Sequence, residues 1–224
     1  MFMPYLSMIK VIKESDTWLV INKPSGTSVH NDSESVIEFF KEQNLEIAPV
    51  HRIDKDTSGL LLLSKDQSAT AELQQALQHS KKYYLAICRG QTKEESGTWT
   101  DKLSEKAEGS KNPRGKKSDL KECITNWKRI YSNKYFTLML FNIETGRTHQ
   151  IRRHCAIHKL EILGDKRYGD SKYQNLIKNK YNFSQMALHS YKLDIQLEKI
   201  QHNFIADIPT YFKELIGESL EKYI

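Results

Sequence analysis

The stretch His51-Arg52-Ile53-Asp54-Lys55-Asp56-Thr57-Ser58-Gly59-Leu60-Leu61-Leu62-Leu63 runs a charged, turn-forming cluster straight into four leucines. A short apolar run bounded by turn residues reads as a buried strand, with Ser58-Gly59 as the tight bend into it. Asp54 then stands on a loop anchored at its C-terminal end, the kind of position where catalytic side chains are carried. The residues alone leave a second reading open. In it Asp54 or Asp56 closes an Asx turn on the backbone, and Arg52 pairs with a surface carboxylate.

Working outward, Ile9, Val11, Ile12, Trp18, Val20 and Ile21 predict two strands around an acidic turn, stopped by Lys23-Pro24-Ser25-Gly26. Ser33 or Ser35 caps a helix with Val36, Phe39 and Phe40 on one face. A second helix shows Ala69, Leu73, Ala76 and Leu77 at helical spacing. Tyr84, Ala86 and Cys88 mark a strand. Residues 92–121 are polar and lysine-rich and read as a basic loop or insertion. From Lys102 to Lys121 seven Lys/Arg face three acidic residues, so this stretch supplies most of the net charge of +6. Ile124 to Tyr131 and Tyr135 to Ile143 predict a hairpin around Ser132-Asn133-Lys134. Thr148 is expected to cap a helix running to about His158, and residues 170–184 read as polar connection. Ala187 to Leu197 reads as a strand, and Pro209 opens a last helix. Strands and helices mix without regular alternation, so the class is α+β with a largely antiparallel sheet.

A length of 224 residues predicts a single domain. With 38% hydrophobic and 28% charged residues the chain reads as a soluble protein. No apolar run approaches the roughly 18 residues that span a bilayer. Met1 to Ile9 lacks the basic region and cleavable apolar core of a secretory signal. Cys88, Cys123 and Cys155 are widely spaced and odd in number, which fits reduced thiols in a cytoplasmic chain. A basic balance favours polyanionic partners.

HRIDKDTSGLLLL resembles the HRLDxxTSGLLL signature of the RluA-type pseudouridine synthases, with Ile53 in place of the usual leucine. Similar segments follow in family order. Trp18-Leu19-Val20-Ile21-Asn22-Lys23-Pro24-Ser25-Gly26 precedes the signature, and Lys82-Tyr83-Tyr84-Leu85-Ala86 comes after it. Then come Thr145-Gly146-Arg147-Thr148-His149-Gln150-Ile151-Arg152, Leu163-Gly164-Asp165 with Tyr168-Gly169, and Ala187-Leu188-His189. The resemblance covers roughly residues 9 to 215. It implies a bent mixed sheet with helices packed outside and an active cleft across its middle. It also implies an isomerase that converts uridine in transfer or ribosomal RNA to pseudouridine. Many relatives carry an N-terminal S4-type RNA-binding module; fewer than ten residues precede the first strand here, so none is expected. Leu160-Glu161-Ile162-Leu163 departs from the His-Pro-Ile that relatives often show before Gly-Asp, which bears on the local loop and on substrate choice.

By this resemblance Asp54 is the catalytic aspartate. Such a carboxylate acts either as a nucleophile or as the base that removes a ribose proton. Arg147 resembles the arginine that pairs with it, and an adjacent guanidinium keeps a buried carboxylate ionised. Tyr84 matches the tyrosine that stacks on the target base, flanked by Lys82. Arg52 resembles the residue that fills the gap left by the everted base. Thr57, His51 and Arg152 complete the expected RNA-binding set, though Arg152 reads equally well as structural. His51 and His149 also suit fixed hydrogen bonds.

The isomerisation requires no cofactor. GxGxxG and GxxxxGK[ST] do not occur, so a nucleotide cofactor is not expected. His149, His154, Cys155 and His158 crowd one helix but lack HExxH or CxxC spacing, so no metal is expected either. RNA is the expected partner, with no membrane, and the chain is expected to be monomeric. The alternative from another class is a noncatalytic RNA-binding or chaperone protein on the same scaffold. A carboxylate-dependent hydrolase would want a second positioned acid, and only Asp56 is near.

Overall fold

The computed structural model describes residues 9–30, 32–217 and 220; the opening stretch read above for a signal lies outside them up to residue 8. In chain order the elements are strands β1 (Lys10–Glu14) and β2 (Trp18–Lys23), helix α1 (Val36–Lys41), strands β3 (Ala48–Pro49) and β4 (Ser58–Ser64), and helix α2 (Thr70–Gln78). Strands β5 (Lys81–Arg89), β6 (Ser96–Trp99), β7 (Leu103–Ser104), β8 (Leu120–Lys121), β9 (Thr125–Ser132) and β10 (Phe136–Ile143) follow. Helices α3 (Gln150–Ile157) and α4 (Ser171–Tyr181), strands β11 (Leu188–Leu197) and β12 (Ile200–Ile205), and helix α5 (Thr210–Ile216) complete the chain. The class is α+β, with mixed, largely antiparallel strands flanked by helices. Among the described residues no helix is long and apolar enough to cross a membrane.

Two compact units make up the chain, residues 1–82 with 189–208 and residues 83–188 with 209–224. In the first, β4 pairs antiparallel with β2 from Trp18↔Ser64 to Lys23↔Gly59 and parallel with β11 at His189↔Ser58. The leucine run is continuous because both faces of β4 are covered. Leu60 and Leu62 pack with Trp18, Val20 and the α2 residues Leu73 and Leu77, while Leu61 and Leu63 pack with Leu19, Ile21 and the α1 residues Val36 and Phe40. Ser35 caps α1 by accepting from the Glu38 amide at 3.3 Å. Strand β12, absent from the sequence reading, returns along β11 through Glu198 and Lys199, both left-handed at φ 51° and 65°. That conformation favours Gly or Asn, so a Glu-Lys turn gives no hairpin signal.

In the second unit β9 pairs antiparallel with β10 and β6. Three expectations are corrected here. Residues 92–121 are not simply loop, since they contain β6, the β7–β8 pair and a 3₁₀ turn at Lys117–Asp119. The buried guanidinium of Arg153 organises the stretch, donating to the carbonyls of Ser104 (2.8 Å), Pro113 (2.6 Å) and Arg114 (2.7 Å) and to Ser104 Oγ (3.1 Å). Residues 171–181 form α4, capped by Asp170 Oδ1 accepting from the Tyr173 amide at 2.8 Å. Ile177 is the only buried residue of this helix, so no apolar period shows in its sequence. Thr148 does not cap α3; the flanking residue is His149, left-handed at φ 54°, and the adjoining bend is held by the side chain of Gln150.

Candidate active site

Asp54 stands half-buried at the start of a turn closed by the Thr57 amide donating to the Asp54 carbonyl at 3.0 Å. The turn is clasped by the Lys23–Thr27 segment. The Gly26 amide donates to the Lys55 carbonyl at 2.9 Å, and Ser25 Oγ donates to the Asp56 carbonyl at 2.7 Å. Gly26 holds φ 86°, a conformation open to glycine. Beneath both segments lies the ammonium of Lys23, fully buried, donating to the carbonyls of Thr27 (2.8 Å), Pro24 (2.9 Å) and Lys55 (3.0 Å). Burial pushes Lys23 down to about 7, while the charges of Asp54 and Asp56 pull it up. Lys23 carries no expected role in the motif that contains it. The available signal was strand alternation, which sets it on the same face as Leu19 and Ile21, where a solvated lysine does not belong.

The C-terminal anchor is equally specific. Ser58 Oγ and His189 Nδ1 are 2.9 Å apart, both residues buried. Gly59, at φ 107°, lies so close to β11 that an added Cβ would sit 2.2 Å from the Ser190 carbonyl oxygen. His51 Nε2 accepts from the Leu62 amide at 3.0 Å, and burial lowers its pKa to about 4, so it is neutral and braces the loop against β4. Lys82 donates to the Leu77 carbonyl at 2.9 Å and closes the end of α2. Thr57 is buried, and Arg52 is exposed.

In the second unit Tyr84 is buried in β5 at 8% exposure. Arg147 is exposed in the bend between β10 and α3. Buried Gln150 shapes that bend. Its Oε1 accepts from Thr145 Oγ1 (2.8 Å) and the Arg147 amide (3.1 Å), and its Nε2 donates to the Ile124 carbonyl and Thr125 Oγ1, each at 2.9 Å. Arg152, read as RNA-binding or structural, is buried in a bidentate pair with Asp165, with Nε and Nη2 each donating at 2.8 Å. Asp165 also accepts from the Arg167 and Tyr168 amides, so this pair fixes the loop after α3. His149 Nδ1 meets Tyr168 Oη at 3.0 Å. His154 lies between Thr125 Oγ1 and the Asp101 carbonyl, and His158 reaches Asp101 Oδ2 at 2.7 Å.

The first unit thus gathers Asp54, Thr57, Ser58 and Lys23 around one turn, and the second gathers Arg147, His149 and Gln150 around another bend. A family model described as RNA pseudouridylate synthase matches residues 17–157. The chain is 34% identical over 219 residues to the ribosomal large subunit pseudouridine synthase C of Buchnera aphidicola subsp. Baizongia pistaciae, covering 89% of this chain and 66% of that protein. An uncharacterized RNA pseudouridine synthase of Zymomonas mobilis is 34% identical, with coverage of 88% and 92%. The chain spans slightly less than two thirds of the length of the Buchnera relative. Among solved structures, human RNA pseudouridylate synthase domain containing 1 superposes with a TM-score of 0.76 at 21% identity, covering 93% of this chain and 87% of that one, a likeness of fold.

Proposed function

The chain belongs to the RNA pseudouridylate synthase family, and we propose on that premise that it isomerises specific uridines in ribosomal or transfer RNA through Asp54. The glycosidic N1–C1′ bond breaks, the uracil turns, and C5 bonds to C1′. The C5 proton leaves and N1 takes one up, so atoms balance without hydrolysis or redox change. Asp54 supplies the carboxylate as nucleophile or base. Arg147 keeps it ionised, Tyr84 stacks on the uracil, and exposed Arg52 occupies the gap that the base leaves. Thr57 and Lys82 support the substrate side of the turn. His51 and Arg152 act only through the backbone they hold. The whole chain works as one catalytic domain, monomeric and cytoplasmic, with no nucleotide cofactor or metal.

The observation that carries this reading is the Asp54–Thr57 turn, clasped from beneath by a buried lysine and from the side by Ser25 and Gly26. Preorganised carboxylates are what such chemistry requires. The ribosomal names of the curated relatives favour ribosomal over transfer RNA as substrate. Carbodiimide-stop sequencing of RNA from wild-type, deletion and Asp54→Asn cells tests it. A stop present in wild type and absent from both others is expected. If no uridine depends on the protein, or if the Asn variant modifies normally, the assignment fails.

A further inference from the structure

The β9–β10 turn and α4 share a surface outside the groups assigned above. Lys134 stands in the turn, Lys172, Lys178 and Lys180 stand on α4, and residues 171–187 contain no carboxylate. All four lysines are exposed. Several exposed lysines elsewhere lie on acids, such as Lys10 on Asp207 at 2.6 Å, Lys55 on Asp32 at 2.9 Å and Lys102 on Glu122 at 2.6 Å. Among the described residues none of these four reaches a carboxylate, and the acids Glu161 and Asp170 face Arg89, each at 3.7 Å.

Two of the ammonium groups, those of Lys134 and Lys180, rest on aromatic rings instead. Lys180 Nζ lies 3.7 Å from the centre of the Tyr135 ring and 5.5 Å from that of Tyr181, and Lys134 Nζ lies 5.9 Å from Tyr135. A hydrogen bond with Lys180 holds the Tyr135 phenol below its ordinary pKa. The rings are fixed in place. The Tyr135 carbonyl accepts from Tyr173 Oη of α4 and from the Gly90 amide at 2.8 Å. Asn133 Oδ1 accepts from the amides of Tyr135 (2.8 Å) and Phe136 (3.0 Å), and Tyr181 packs edge-on against Phe136 at 6.0 Å.

We propose that this surface docks a single-stranded segment of the RNA other than the modified uridine. Phosphates replace the rings as partners of the ammonium groups, and the vacated ring faces receive bases. An acidic polypeptide would use the cations but has no use for interleaved rings. The inference rests on the RNA-modifying reading above.

The test uses the full chain carrying Asp54→Asn, so that binding is read without turnover. Its probe is a mixed-sequence single-stranded RNA of about 16 nucleotides, near the upper site size of such platforms. Lys134→Gln/Lys178→Gln/Lys180→Gln is expected to bind about tenfold more weakly near 0.15 M salt, with a plot of log affinity against log salt shallower by about 2. An unchanged thermal midpoint shows that the triple variant folds. Tyr135→Leu/Tyr181→Leu is expected to lose affinity with little change in slope. An unchanged affinity and slope in the triple variant, no RNA binding by the Asp54→Asn parent, or losses confined to a polyglutamate competitor would each overturn the proposal. RNA binding that responds as expected, in a wild-type chain that forms no pseudouridine, sinks the isomerase reading and leaves the surface standing.

Discussion

The turn that carries Asp54 and the bend that carries Arg147 are each clamped by one buried polar side chain, but the clamps differ in charge. Lys23 holds three carbonyls with an ammonium that burial pushes toward neutrality, while Gln150 holds donors and acceptors with a carboxamide that never titrates. Around the first clamp stand two ionisable histidines, half-buried His51 lowered to about 4 and buried His189 lowered to about 3. Around the second, buried Arg152 is matched to Asp165, and buried Arg153 rests on backbone carbonyls. The lysine clamp therefore responds to pH through its own titration, and the carboxamide clamp does not.

The largest effect expected falls on chemistry alone. Asp54→Asn should lower pseudouridine formation by about a thousandfold or more while leaving the melting temperature near wild type. A variant that retains a tenth of the activity would make the turn a structural feature only. Next, Arg152→Met should destabilise the protein by about 3–5 kcal/mol in urea titrations, because it strands the buried Asp165 carboxylate. A near-neutral change would remove the structural role of Arg152 and leave its RNA-binding reading.

Lys23→Met should cost about 3 kcal/mol by leaving three carbonyls without their donor. The deficit should depend on pH. Folded Lys23 titrates near 7 and the unfolded chain near 10.5, so between those values the unfolded state binds more protons and stability rises with pH. The wild-type advantage over Lys23→Met should thus grow by about 2 kcal/mol from pH 7 to pH 9, and an advantage that is flat or shrinks there removes the contrast between the two clamps. Gln150→Leu should cost about 2 kcal/mol, equally at pH 7 and pH 9, since the lost group carries no charge. A deficit that varies between those pH values would mean that the bend is coupled to an ionisable group after all.

Much of the first unit was legible because its elements are periodic. The β1–β2 pair, the Ser35 cap, the α2 stripe at Leu73 and Leu77, and the buried leucine strand follow from local pattern. The hairpin of the second unit was legible for the same reason. Helix α4 was not, because one buried isoleucine makes no stripe, and β12 was not, because its turn uses Glu198 and Lys199 in place of Gly or Asn. Within 92–121, β7 and the Pro113-Arg114 segment rest on Arg153, and β6 on β9, both far along the chain.

The candidate site divides along the same line. The sequence by itself determined the family and the strands that flank Asp54 along the chain, since these depend on neighbours in the chain and on motif identity. Only the tertiary structure decided that Lys23 supports the Asp54 turn, that Gln150 shapes the Arg147 bend, and that Arg152 and His51 face inward. The physical reason is that a buried donor or charge is defined by the acceptors that surround it, and those acceptors come from segments that the sequence does not place side by side.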